Sequence, residues 1–327
     1  MKTNAIVRII LFSIAIIVLT GILLTGLGIG LFMVDTDGHD LPVTMDGTTN
    51  TGAVDASEVR NIEIEWLAGP IVIRPIANTN QITITETAPE NEKYHMVYRK
   101  NCDTLEIQFA EESATFNFTN TVSKELTITV PTNWICNSLE IDAASAGVQV
   151  YDITIDDVSF DGASGVCHFN NCNVGDLDVD TASGNVNFIG TLNRLDCETA
   201  SGSCYVKVSN VPDSISIDAA SGDLDLYLPE ECGFTAEVDT ISGKFASDFT
   251  TKTLNGYHVH GTGSCEITVS AASGNISIHK HNETDTQATT PYCTDPACTD
   301  ESHDHSEICA EQDCTEDSHG HSSGHHN

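Results

Sequence analysis

The chain has 327 residues and carries 13 Lys+Arg against 48 Asp+Glu, a formal net charge of −35. Only Lys2 and Arg8 precede the first acidic residue, Asp35, which leaves 11 − 48 = −37 on the rest of the chain. Such a surface repels nucleic acid and anionic lipid and attracts cations or basic partners, so a nucleic-acid-binding role is excluded.

Residues 1–8 read as a short cytoplasmic N-terminus. Residues 9–34 form an uncharged run rich in Ile, Leu, Val and Gly. At about 1.5 Å per residue this run exceeds a hydrocarbon core of about 30 Å, so it predicts a membrane-spanning helix. Basic residues before it and acidic ones after it orient the N-terminus inward and the bulk of the chain outward. The run is too long for a secretory signal, and no small-residue cleavage site follows it. The expected location is the cell membrane, with a single pass through the lipid bilayer. Residues 35–56, rich in Asp, Thr and Gly, read as a spacer.

From Val59 the pattern becomes that of strands. Ile62, Ile64, Leu67-Ala-Gly69, Ile71 and Ile73 alternate about a turn, and further strands are expected at 82–85, 105–109, 116–118 and 126–130. Beyond them a turn recurs: Asp142-Ala-Ala-Ser-Ala-Gly147, Asp161-Gly-Ala-Ser-Gly165, Asp180-Thr-Ala-Ser-Gly184, Glu198-Thr-Ala-Ser-Gly202, Asp218-Ala-Ala-Ser-Gly222, Asp239-Thr-Ile-Ser-Gly243 and Ser270-Ala-Ala-Ser-Gly274. Its serines are spaced by 19, 19, 18, 20, 21 and 31 residues. A period near 20 is that of a solenoid. Counted from each serine, apolar side chains fall at −6, −4, +3 and +5, as in Leu177, Val179, Val186 and Phe188. Each unit is therefore strand, corner, strand and connection, and stacking the units makes the core. The predicted fold is an all-β solenoid over residues 57–280. Ala68 stands where the later serines do, and the 77 residues from it to Ser145 leave room for about four coils. The wider spacing after Ser242 predicts an insertion loop over 252–264, whose His258 and His260 form a candidate metal pair.

The stretches Ile62-Glu-Ile64-Glu-Trp66-Leu-Ala-Gly69 and Leu126-Thr-Ile-Thr-Val-Pro131, with the Thr-Ala-Ser-Gly units, resemble a bacterial family of adhesin-like envelope proteins built from β-strand Ser-Gly repeats. The resemblance covers roughly residues 57–280. It implies a membrane-tethered surface module for adhesion or interaction with an unidentified surface or envelope ligand, and it supplies no catalytic residues. A Ser-Gly turn repeated seven times is structural and lacks the spacing of a nucleophile elbow. A stacked-helix polysaccharide enzyme, the enzymatic alternative, needs cations or metal-bound carboxylates and aromatic platforms, and Lys and Arg are scarce here.

Six of the seven units carry an acid at −3, which in register makes a carboxylate column spaced by about 4.8 Å. Calcium can bridge such a column, and capping of the corner backbone is the simpler role for these acids. Cys197 and Cys204 take the inward positions −4 and +3 of one unit. They can form a disulfide or stand as small buried side chains. Cys102 with Cys136, and Cys232 with Cys265, are further candidate pairs.

Residues 281–327 form an acidic tail with a tandem repeat. Cys293, Cys298, His303 and His305 return as Cys309, Cys314, His319 and His321, each offset by 16. Two thiolates and two imidazoles per unit match the ligand count of a tetrahedral zinc site, with divalent metal ordering an otherwise unpacked segment. The alternative is a disulfide within each Cys-x4-Cys and a solvated histidine run. Metal capture or sensing at the surface, with the solenoid as a spacer, is the second functional expectation.

Overall fold

The computed structural model describes residues 39–40, 44–46, 49–87, 92–110 and 122–281. The expected membrane span at 9–34, the strand at 116–118 and the Cys/His tail lie outside these residues. Among the described residues no helix is long and apolar enough to cross a membrane.

The apolar positions read from the sequence are the core. In the six units whose corners are Ser145, Ser164, Ser183, Ser201, Ser221 and Ser273, every side chain at −6, −4, +3 and +5 is at most 3% exposed. Strands of successive units pair in parallel without a shift at the corner: Ser145↔Ser164, Ser164↔Ser183 and Ser183↔Ser201 are direct partners. The corner itself continues the ladder: after Ser164, Ser183, Ser201, Ser221 and Ser273 the glycine N–H donates to the serine carbonyl of the neighbouring coil. Gly184 N reaches Ser201 O at 3.0 Å, and Gly202 N reaches Ser221 O at 3.0 Å. A Cβ on Gly184 would collide with Gly165 O, and one on Gly202 with Gly184 O. The third residue of Ala-Ser-Gly is glycine because the neighbouring coil's backbone occupies the place of a side chain.

At both ends the order of the coils in space departs from the order in sequence. Ala68 is the direct partner of Ser145, so the expected four coils between them are absent. The intervening chain instead builds the end of the rod. Thr104–Gln108 and Leu126–Pro131 run parallel to Asn61–Ala68 and Ile71–Ile76 on their outer side. Antiparallel strands then close the edge: Val97–Asn101 on Thr104–Gln108, Gln81–Thr87 on Leu126–Pro131, and Thr49–Asp55 on Gln81–Thr87. Thr49–Asp55 thus belongs to the folded unit, and so do Thr44–Asp46, paired on it, and His39–Asp40, paired on Val97–Asn101, so strands take up much of the spacer expected at 35–56. The alternation of Thr49–Asp55, with Asn50 and Val54 inward, is what seats it.

At the other end, Cys265–Ser273 lies between Ser214–Ser221 and Phe234–Ser242, so Ser273 partners both Ser221 and Ser242. The 31-residue interval is the length needed to leave a coil's thickness open and return to fill it. Its expected loop is a hairpin, Lys252–Leu254 with Tyr257–His260, turning at Asn255-Gly256, both at positive φ. The hairpin pairs antiparallel with Phe234–Ser242.

Candidate interaction surfaces and a buried polar cluster

Residues between the inward positions point to solvent, and parallel register turns each such position into a column. Before the corner, the −3 column runs Glu65, Asp142, Asp161, Asp180, Glu198, Asp218 in direct succession. The −5 column beside it holds Glu63, Glu140, Asp178 and Asp196. The expected column is therefore half of an acidic ribbon two carboxylates wide. Packing against the sheet removes water from these groups, and neighbouring carboxylates add repulsion. Together they push Asp142 and Asp180 up to about 6 and Glu65 up to about 7. Glu63, Asp161, Asp178, Glu198 and Asp218 move in the same direction, again chiefly through burial.

The face after the corner differs. Tyr205, Tyr227 and His279 stack coil upon coil, with ring centroids 5.0 and 4.6 Å apart. His279 lies 3.7 Å from Asp225 and 3.1 Å from Asp248. One outer face is thus acidic, while the other carries a short half-buried aromatic ladder.

The candidate metal and disulfide residues fare unequally. His260 Nδ1 is 2.9 Å from Thr250 O, and its ring packs on Phe234 and Phe249; His258 packs on Phe245. The two imidazoles are placed by aromatic packing. Among the described residues no group of three or more His, Cys, Asp or Glu side chains is arranged to hold a metal ion. Cys197 and Cys204 are brought together in the core as thiols 3.8 Å apart, and mutual hydrogen bonding with burial holds Cys197 well above the usual thiol range. Cys232 and Cys265 are also in hydrogen-bond contact. The pairing of Cys102 with Cys136 is overturned. Thr104 and Ser138 both partner Asn61 from opposite sides, so the two cysteines sit two coils apart, about 10 Å at strand spacing and beyond disulfide reach. Cys102 is exposed and Cys136 buried.

A cluster that the sequence reading missed lies under the antiparallel end. Asn50, Glu86 and Lys124 are 0%, 1% and 3% exposed. Asn50 and Glu86 face each other across the Thr49–Asp55/Gln81–Thr87 ladder. Asn50 Nδ2 donates to Glu86 Oε1 at 2.6 Å, and Met96 N donates to the same oxygen at 2.7 Å. The other carboxylate oxygen, Oε2, is in direct ion-pair contact with Lys124 Nζ. The ammonium also donates to Tyr94 O at 2.6 Å and to Phe109 O. It lies 4.8 Å from the ring centroid of Trp66 and 4.2 Å from that of Phe109. Burial pushes Lys124 down to about 8 against the opposing pull of Glu86. Asn50 Oδ1 is buried with no hydrogen-bond partner. The signal was present in the alternation: Glu86 takes the inward place that follows Ile82 and Ile84, and Asn50 precedes Val54 in phase.

The profile of the Toastrack DUF4097 family matches residues 59–192 and 148–279, two overlapping stretches that together span most of the chain. No curated protein matches the chain. Among solved structures, a putative adhesin from Bacteroides fragilis is similar at 14% identity and TM-score 0.37, covering 72% of this chain and 98% of its own. A putative lipid binding protein from Parabacteroides distasonis has the same figures. A putative cell adhesion protein from Clostridium sporogenes is 12% identical with TM-score 0.34, covering 73% of this chain and 100% of its own.

Proposed function

This chain belongs to the Toastrack DUF4097 family, and from that premise we propose that it is a membrane-anchored, non-enzymatic interaction module of the cell surface with a divalent-metal-binding tail. The observation that carries the reading is the register of the coils. Corners, core and outer columns repeat together, so the chain offers long faces of uniform chemistry in place of a single cleft. Extended faces suit recognition of another surface or polymer, and the acidic ribbon favours a cationic partner. The uncharged run at 9–34 is the anchor in this reading, and an extracytoplasmic ligand is the partner.

The tail supports a second reading, in which metal capture is the main task and the rod is a spacer. What favours it is the exact 16-residue offset of Cys293, Cys298, His303 and His305 onto Cys309, Cys314, His319 and His321. Zinc accepts both donor types. Deleting residues 282–327 separates the two readings. Under the first, adhesion of cells displaying the chain survives the deletion; under the second, adhesion is absent from both forms and only zinc uptake or tolerance changes. Titration of the reduced full chain with zinc, with the deletion as blank, is expected to load two ions tightly into the tail. Equal binding by the two forms removes the tail site.

A further inference from the structure

We propose that Lys124 and Asn50 are joined by an intramolecular amide bond between Lys124 Nζ and Asn50 Cγ, formed by the protein itself with Glu86 as the proton-transferring group. The inference rests on the buried cluster alone and is independent of the anchor, the tail and the nature of the ligand.

The first argument is energetic. A buried ion pair adds little stability over an apolar replacement, because desolvating two charges offsets their attraction. A Lys–Glu pair walled in by Trp66 and Phe109 is therefore poorly explained as a stabilising contact.

The second argument is the arrangement. One carboxylate touches both an amine and a primary amide, with Oε2 on Lys124 Nζ and Oε1 on Asn50 Nδ2. This is the placement required of a group that removes a proton from the nucleophile and delivers one to the leaving nitrogen. The ring faces of Trp66 and Phe109, themselves edge to face at 4.9 Å, exclude water that would compete for the amide carbon. Burial also favours the neutral amine, the nucleophilic form.

The step balances. Glu86 takes a proton from the Lys124 ammonium, and the freed lone pair attacks Asn50 Cγ to form the Nζ–Cγ bond. The Cγ–Nδ2 bond breaks as Nδ2 receives a proton from the Glu86 carboxyl and ammonia departs. The surplus proton on the attacking nitrogen returns to Glu86. Ammonium, carboxylate and primary amide become secondary amide, ammonia and carboxylic acid, with hydrogens and charge conserved and no oxidant required. Two buried charges are replaced by neutral groups, which lowers the desolvation cost. Asn50 Oδ1, unpartnered in the unlinked cluster, gains a donor in the protonated Glu86. The product therefore satisfies the atom that the reactants leave stranded.

The link would close the loop between residues 50 and 124 and fasten Thr49–Asp55, a strand of the antiparallel end, to the chain entering Leu126–Pro131. The test is the intact mass of the full chain together with peptide mapping after denaturation. Expected are a mass lower by one ammonia, a branched peptide joining the Asn50 and Lys124 segments, and loss of tryptic cleavage after Lys124. Glu86→Gln and Asn50→Ala are each expected to abolish the branched peptide. The wild-type mass decides even where a variant does not fold. An unmodified mass with both segments recovered as linear peptides overturns the proposal. So does ammonia loss without the branched peptide, which is cyclisation elsewhere. A branched peptide persisting in Glu86→Gln overturns the role given to Glu86.

Discussion

Acidification is expected to stabilise this protein, the reverse of ordinary acid denaturation. Asp142 and Asp180 rise from 3.8 to about 6 and Glu65 from 4.5 to about 7 on folding. The folded state therefore holds more protons than the unfolded chain between each pair of values. The stability this contributes is complete below about pH 4 and is lost as pH rises through about 6 to 7. A dry site would give about 3 kcal/mol per group, but solvent and salt at a half-buried face reduce this to about 1 kcal/mol each. The three together give about 3 kcal/mol, or a Tm difference of about 6–12 °C for a unit of this size. The other five raised carboxyls of the ribbon act in the same direction. His168, whose charged form burial disfavours, acts in the opposite one. The assay is circular-dichroism melting at about pH 4 and about pH 8, each at low and high salt. Added salt should raise the Tm at the higher pH and barely move it at the lower. Asp142→Asn with Asp180→Asn should flatten the profile by raising the Tm at the higher pH. A wild-type Tm equal at the two pH values, or higher at about pH 8, refutes the argument.

Three further outcomes follow from the repeat. Gly202→Ala drives a methyl into Gly184 O and should cost about 1–3 kcal/mol in urea unfolding, whereas Ser201→Ala, at an exposed corner, should stay within about 0.5 kcal/mol. Phe188→Ala, wholly buried mid-rod, should cost about 3–5 kcal/mol by the same measurement. Brief maleimide labelling of the folded protein, read by peptide mapping, should modify Cys102 and spare Cys136, Cys167, Cys172, Cys197, Cys204, Cys232 and Cys265 until denaturant is added.

The middle of the rod was legible because period 2 and period 20 reinforce each other there. Once the serine corners are aligned, Leu177 and Phe188 can face only inward, and Asp180 can only join Asp161 and Glu198. Register is not written at the ends. The pattern around Ala68 matches that around Ser145, yet nothing in either stretch says that they are neighbours. Their partnership is decided by the strands that fill the interval, and long-range pairing of that kind carries no local signature. The buried cluster was missed for a related reason. Asn50 falls in the expected spacer and Glu86 just past the strand expected at 82–85, and inward polar side chains are rare because only partners distant in sequence make them tolerable.

The displaced end coils bear on how the rod resists unravelling. Repeat arrays open from their terminal units, since each coil is held by its neighbours and the last has only one. Here neither the first nor the last corner-bearing coil in sequence is terminal in space. Asn61–Ala68 is paired on both sides, by Thr104–Gln108 and Ile135–Ser145. Cys265–Ser273 is likewise held between Ser214–Ser221 and Phe234–Ser242. The chain passes out of the last coil at His281, whose Nε2 is 2.6 Å from Val208 O and whose side chain is buried. Tension applied along the tail therefore acts on a coil clamped from two sides, and the strands at the true edges are free of it. Inserting a strand between two others delays its pairing until both are in place, which raises contact order and slows folding. The same insertion makes the coils next to the two ends of the rod hard to peel, because each is released only after a neighbour on one side has gone.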